Sequence, residues 1–353
     1  MKPMKVGLIG CGGVANLHMN VYKSMKDVDI VGVCDLSRGR ASFLAHKFGV
    51  KKIFENYNDL FEIKDLNLVD ICTPVSTHAR IICDAAKAVP AILVEKPMAL
   101  SVAECDKIIK EVKKQKTKLC VIHQQIFLPS VEKAKSMIDR RIYDLISFRT
   151  IQKESFEHLK THGLAADWMT KPEQKGIIWE VCCHLVYLQL HFLPNIKQVY
   201  AVGGKAKYSV YDHFVALLRT NEEPFGVIDL SWMSRGAEIV YEIFDSTGRK
   251  AQIYRDFDYF VENQAAPPVS VGKVLRGFFE DEKITLCRWA KFGVNYIKKR
   301  RRFPHFKLIS NYLLNIKKDL PPPVSSEDGR KTINLLECIE KSLNEGRPIT
   351  VEH

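Results

Sequence analysis

Short apolar runs alternate with stretches of helical period through the first third of the chain. Residues 5–9 (KVGLI), 30–34 (IVGVC), 68–72 (LVDIC), 91–94 (AILV) and 119–123 (LCVIH) are each bounded by glycine, proline or polar residues. Continuous runs of that length mark strands buried on both faces of a parallel sheet. Between them, residues 41–48, 57–61 and 78–88 read as helices. Ser101 with Glu104 forms a capping box for a further helix running to Gln115. Strand–helix alternation of this kind predicts a doubly wound α/β domain over residues 1–124.

The texture changes after Pro129. A helix at 130–139 precedes a strand at 145–152, then a loop-rich stretch, then a helix at 178–192. Longer strand patterns follow in succession at 198–205, 213–219, 224–232, 237–245 and 250–255, with Thr247-Gly248 as a hairpin turn between the last two. This order predicts an α+β domain over residues 125–353, built on a mostly antiparallel open sheet. Pro321-Pro322-Pro323 breaks the chain before a final amphipathic helix at 326–342.

The first strand runs directly into Gly10-Cys11-Gly12-Gly13-Val14-Ala15, which fits G-x-G-x-x-G/A. Gly10 permits the tight turn, Gly12 lets backbone approach a pyrophosphate, and Ala15 lets the following helix sit against the strand. That helix offers free N–H groups and the positive end of its dipole to phosphates. The second strand ends at Asp35, whose carboxylate can accept from both ribose hydroxyls. The context predicts a dinucleotide site, and Asp35 favours NAD because it repels a 2′-phosphate. Ser37, Arg38 and Arg40 lie just beyond and can accommodate one, so NADP stays open.

Composition narrows the class without naming a chemistry. The chain has 353 residues, 46% hydrophobic and 27% charged, as in a soluble protein of two domains. No apolar run reaches the length of a membrane span, and the N-terminus leaves no room for a signal peptide before the first strand. The ten cysteines lack C-x-x-C spacing, and Cys34, Cys72 and Cys120 fall in strand-like runs. That usage points to a reducing cytoplasm with neither a disulfide framework nor a metal site.

Charge is uneven. Residues 272–307 hold eleven lysines and arginines against three acids, accounting for +8 of the net +12. Within this stretch Leu286, Trp289, Phe292, Tyr296 and Ile297 follow helical spacing, and 298–302 is an unbroken basic run. One reading is an interfacial helix over 286–302 that meets anionic lipid. A second is attraction for the phosphates of a nucleotide-sugar, with nucleic acid a weaker case. The plainer reading, which is favoured, is a helix packed on its own domain or on a partner copy, with a solvated basic face.

Two clusters can carry chemistry. Glu95-Lys96-Pro97 lies at the carboxyl edge of the parallel sheet, where doubly wound folds place ligands. A lysine there can donate to a substrate oxygen and stabilise developing negative charge. Glu180 and His184 are four apart and, on one helix, share a face. The histidine can take a hydroxyl proton and Glu180 can orient it or hold a substrate hydroxyl. Taken alone, a lysine in a loop and a histidine in a core are more often structural.

These stretches together resemble the glucose–fructose oxidoreductase / inositol dehydrogenase (Gfo/Idh/MocA) family over nearly the whole chain. The matching residues are Gly10–Ala15, Asp35, Cys72-Thr73-Pro74 with His78, Glu95-Lys96-Pro97, Trp168 with Gly176, Glu180 and His184, and Pro322-Pro323-Val324 with Glu327-Asp328-Gly329. The resemblance implies an N-terminal Rossmann domain and a second domain whose open sheet serves as a dimerisation face. It implies Lys96 as catalytic lysine and His184 as general acid/base, with Thr73, Pro74, His78 and Glu95 along the nicotinamide half of NAD and Trp168 near the mouth. Two positions depart from the family: Glu180, where Asp is frequent, and Tyr187, where a shorter polar residue is common. Both should reshape contacts to substrate hydroxyls, so no particular sugar carries over. The expectation is oxidation of a secondary hydroxyl on a sugar, sugar derivative or nucleotide-sugar by a homo-oligomeric cytoplasmic enzyme. Reduction of a C=C or imine bond, and a non-catalytic NAD-binding regulator, are the alternatives.

Overall fold

The apolar runs of the first third become strands of one parallel sheet: β1 Met4–Ile9, β2 Val28–Cys34, β4 Leu68–Ile71, β5 Ala91–Val94 and β6 Lys118–Val121, with a short β3 at Ile53–Phe54. In this computed structural model, which describes residues 3–161, 166–263 and 303–352, their order is β3-β2-β1-β4-β5-β6 and every pairing is parallel. Helices α1 Gly13–Lys23, α2 Arg38–Phe48, α3 Tyr57–Phe61, α4 His78–Ala86 and α5 Val102–Gln115 connect them. This is the doubly wound order, with its switch point between β1 and β4. Both faces are covered, so β4 and β5 are buried at every position. Asp70, in the middle of β4, is the exception in chemistry and is fully buried.

The second sheet has eight strands in the order β13-β12-β11-β7-β10-β9-β8-β14. They are β7 Leu145–Ser155, β8 Ile196–Gly204, β9 His213–Thr220, β10 Phe225–Ser231, β11 Met233–Asp245, β12 Lys250–Tyr254, β13 Tyr259–Asn263 and β14 Ile349–Thr350. The pairs are antiparallel except β7 with β10. Around it lie α6 Pro129–Asp139, α7 Phe156–Thr161, α8 Gly176–Glu180 and α9 Cys182–Phe192. Gln189 of α9 fastens one face, donating to the carbonyl of Val227 at 2.9 Å. The other face leaves Tyr200, Val202, Val215, Leu217 and Phe225 exposed.

The last two helices, α10 Phe303–Lys317 and α11 Ser326–Glu345, return to the parallel sheet. Tyr312 of α10 donates to the carbonyls of Ile92 and Lys118. α11 packs on α5, α9 and β8, and so ties the two sheets together. The triproline break falls between these helices, as anticipated.

Several elements differ from the sequence expectation, among them β3, α7 and β13, which it does not foresee. The helix foreseen at 178–192 is two helices, α8 and α9, broken at Val181 (φ −112°). α10 is not foreseen, because its first turn overlaps the basic stretch that ends at residue 307. β14, two residues long, is too short for a period to show. The capping box at Ser101 is also shifted: Ser101 accepts from the Glu104 N–H, but Glu104 accepts from Leu100. The basic amphipathic helix expected over 286–302 lies outside the described residues. Among the described residues no helix is long and apolar enough to cross a membrane.

Candidate active site at the carboxyl edge of the parallel sheet

The turn after β1 is set by Gly10. Its φ is +91°, and a Cβ there would stand 2.7 Å from the carbonyl of Cys72, so neither the angle nor the space admits another residue. Gly12 caps α1 without a side-chain partner for the helix N–H groups. A Cβ at Gly12 or Gly13 would meet no atom of the protein within 4 Å, which leaves an open cradle at a helix N-terminus. Val14 is half-buried beside it and Ala15 is fully buried against the sheet. Asp35 faces the same loop, accepting from the N–H groups of Cys11 (2.8 Å) and Ser37 (2.7 Å) and pairing with Arg40 (2.7 Å). Burial would raise its carboxyl, but Arg40 and the two N–H donors outweigh burial and hold it below its ordinary value. Arg38 does not share in this cluster; it pairs with Glu55 at 2.9 Å on the surface. The open glycine cradle and the ionised Asp35 fit a dinucleotide.

The switch-point loops are braced by His78. Its ring nitrogens lie 2.8 Å from the carbonyls of both Thr73 and Pro97, tying the loop after β4 to the turn after β5. Burial lowers its pKa, so the neutral ring donates to one carbonyl at a time. Thr73 also accepts from Thr77 at 2.7 Å, and Pro74 precedes the short 3-10 turn Val75–Thr77. Glu95 is buried and Lys96 follows it at the rim.

The break at Val181 is what brings Lys96 to the junction between Glu180 and His184. In an unbroken helix the His184 N–H would bond the carbonyl of Glu180. Here it bonds Val181 at 3.0 Å instead, and the freed Glu180 carbonyl accepts from Lys96 Nζ at 2.8 Å. The α8 start is equally specific: Gly176 has φ +57°, and a Cβ there would lie 2.4 Å from Val210 Cγ2. Glu180 and His184 therefore do not share one helical face; they flank a junction into which Lys96 reaches. The Glu180 carboxyl is raised by burial, with Lys96 opposing. Burial, then the charge of Lys96, hold His184 well below its ordinary value, so its ring is neutral.

Tyr187 does not face outward toward a substrate. It is 3% exposed, lies 2.9 Å from His184 Nδ1, and stacks on His123 at 4.3 Å. Its phenol also accepts from the Gln125 N–H at 3.2 Å and donates to Gln124. It anchors the histidine. Trp168 stands half-buried on a 3-10 turn, Asp167–Thr170, ahead of α8.

A second group of residues escaped the sequence reading. His18 of α1 is fully buried, with Nδ1 2.8 Å from Asp70 and Nε2 3.1 Å from Glu95. Tyr22 donates to Asp70 at 2.8 Å, and the ring of His305 from α10 lies 5.8 Å from the ring of His18. The signal was present: an aspartate inside an otherwise apolar strand, and a histidine on the apolar side of α1.

Residues 4–123 match the model of the GFO/IDH/MocA oxidoreductase family, NAD-binding Rossmann fold, and residues 132–250 match the GFO/IDH/MocA C-terminal domain. Myo-inositol 2-dehydrogenase of Thermotoga maritima is 24% identical, over 99% of this chain and 99% of its own. D-apiose dehydrogenase of Paraburkholderia graminis is 20% identical over 100% of this chain and 91% of its own. Among solved structures, the WlbA dehydrogenase of Bordetella pertussis, in complex with NADH and UDP-GlcNAcA, superimposes with a TM-score of 0.81 at 18% identity, covering all of both chains.

Proposed function

The chain belongs to the Gfo/Idh/MocA family of oxidoreductases with an NAD-binding Rossmann fold, and from that premise we propose that it catalyses the reversible oxidation of a secondary hydroxyl on a sugar, sugar derivative or nucleotide-sugar. Bound NAD supplies the hydride acceptor. Gly10, Gly12, Gly13 and Asp35 would hold it. Lys96 donates a hydrogen bond to the reacting oxygen, and its charge opposes the negative charge that develops there. His184, neutral and tethered at Nδ1 by Tyr187, takes the hydroxyl proton. Glu180 holds a neighbouring hydroxyl.

The observation that carries this reading is the helix break, which places Lys96 Nζ on the Glu180 carbonyl beside the first turn that bears His184. The substrate class is supported by the relatives, named as inositol and apiose dehydrogenases, and by the UDP-GlcNAcA complex of the Bordetella protein. The test is NADH and NADPH titration by fluorescence, followed by a panel of polyols, aldoses and nucleotide-sugars assayed by NADH formation. Lys96→Ala should lower turnover by about 10²–10³-fold with NADH affinity little changed. Retained turnover removes Lys96 from the reaction.

The exposed apolar residues Tyr200, Val202, Val215, Leu217 and Phe225 lie on one face of the second sheet, paired across strands as Tyr200 with Leu217 and Val202 with Val215. A contiguous apolar sheet face is a docking surface, and a second copy of the chain is the occupant in this reading. Leu217→Asp should convert the assembly to monomer in light scattering; an unchanged mass moves the interface elsewhere.

A further inference from the structure

We propose that Asp70 and His18 form a buried charge pair that holds Glu95 ionised and fixed beside Lys96, making both of them positioning residues for the reaction. The inference rests on the reading of Lys96 given above.

Asp70 stands in the centre of β4, fully buried, where the sheet calls for an apolar side chain. An ion taken out of water is costly unless well partnered, so its partners define its purpose. Tyr22 donates to its Oδ2, and His18 Nδ1 lies against the same atom, each at 2.8 Å. The other ring nitrogen of His18 lies 3.1 Å from Glu95 Oε1. Ionised carboxylates only accept hydrogen bonds. With both carboxylates ionised, as the proposal has them, a ring facing one at each nitrogen carries a proton on both and is an imidazolium. Glu95 passes the constraint on, since its Oε2 accepts from the backbone N–H of Lys96 at 3.1 Å.

The charges alternate along this chain: Asp70 negative, His18 positive, Glu95 negative, Lys96 positive. Burial opposes charge at His18, but Asp70 overrides it and raises the histidine well above its ordinary value. Burial would likewise raise Glu95, but His18 brings it to about 2. The other groups facing the pair leave this pattern intact. Cys72 Sγ, 3.5 Å from His18 Nδ1, is a thiol pushed up to about 12 by burial. His305 comes in from α10, and burial lowers it to about 4, so it is neutral. Its Nδ1 is buried without a hydrogen-bond partner among the described residues. His18 with Asp70 and Cys72, and His18 with Glu95 and His305, also bring donor atoms within 4.8 Å of one another, as a metal would need. With both nitrogens of His18 already facing carboxylates, the arrangement is an ion chain. Removing the charge of Asp70 strands the imidazolium with one carboxylate, and Glu95 then loses its fixed cation.

The experiment uses the full chain, labelled with ¹⁵N-histidine and saturated with NADH. Long-range ¹H–¹⁵N spectra are followed from about pH 6 to about pH 9, spanning the ordinary histidine range. Both nitrogens of His18 should stay protonated throughout in the wild type. In Asp70→Asn that signature should be lost as pH rises through neutrality, and Tyr22→Phe, a milder change, should shift it in the same direction. With a substrate from the panel, Asp70→Asn should lower turnover about tenfold or more while NADH affinity stays within about twofold, a split that general loosening would not produce. A neutral His18 in the wild type near pH 7, or one zinc retained per chain in its place, overturns the charge pair. A protonated His18 with unimpaired turnover in Asp70→Asn overturns the positioning role. If Lys96→Ala keeps its turnover, or no substrate turns over, the role falls with the reading of Lys96, and the spectra still decide the charge pair.

Discussion

The two halves of the site are built by opposite means. The cofactor half is a contiguous motif: a strand, a turn that only glycine can make, and a helix N-terminus, with Asp35 locked onto the same loop by the Cys11 N–H. Its geometry is local. The proposed catalytic half is drawn from places far apart in the chain. Lys96 follows β5, Glu180 ends α8, His184 opens α9, and their meeting depends on one missing helical hydrogen bond. Local motifs bind a common group, whereas long-range assembly depends on individual tertiary partners, such as the Tyr187 phenol that tethers His184.

Two glycines in the cofactor half separate folding from binding, and with the largest effect. Gly10→Ala forces a left-handed φ on alanine and drives a Cβ to 2.7 Å from the Cys72 carbonyl. It should cost about 2–5 kcal/mol and lower the melting temperature along with NADH affinity. Gly12→Ala meets no protein atom within 4 Å and has φ −79°, so stability should hold. Its methyl group would instead occupy the open cradle. Thermal scans paired with NADH titration check both. A Gly12→Ala chain that binds NADH normally would take the pyrophosphate out of that cradle and break the contrast between the halves.

How much was legible follows the same divide. Gly10–Ala15 and Asp35 could be placed because each residue type answers to a turn, a close approach or a ribose, and the strand periods around them were intact. The family resemblance singled out Lys96 and His184, but not how they meet. Sequence spacing put Glu180 and His184 on one helical face, because nothing in WEVCCH announces that the helix breaks at Val181. The break is decided by tertiary partners: Lys96 takes the Glu180 carbonyl, and Lys175 holds the start of α8 by pairing with Glu340 of α11 at 2.8 Å. Arg38 and Arg40 were indistinguishable by position, and only the packing of α2 sends Arg40 to Asp35 and Arg38 to Glu55. Asp70 looked like one polar letter in an apolar run. Its meaning required His18 from α1, fifty-two residues away in sequence.

The catalytic half should also be the more acid-sensitive of the two, through histidines that are buried neutral. His123, stacked under Tyr187, is lowered to about 4 by burial. An unfolded histidine protonates near 6.5, so the folded value is the depressed one. The stability contributed by keeping this ring neutral is thus fully present above about pH 6.5, and is lost as pH falls toward 4. At pH 5 the loss is about 2 kcal/mol for this one ring. His305 and His184 add in the same direction, since both are lowered by burial. Glu180, whose carboxyl is raised by burial, offsets part of this loss as it takes up a proton, but His18 cannot offset it in this window. Its folded value is raised, so its contribution is already complete below about 6.5 and is lost only as pH rises through the folded value. In the cofactor half Asp35 is held below its ordinary value and stays ionised throughout this range, which leaves His78 as its one contributor in this direction against three histidines in the other half. The melting temperature should therefore fall steadily from about pH 6.5 to about pH 4.5. His123→Gln, which keeps a polar side chain but cannot charge, should flatten that slope at some cost in stability near neutrality. A slope unchanged by this substitution would shift the acid sensitivity away from the floor of the catalytic half, and the contrast between the halves would then rest on the glycines alone.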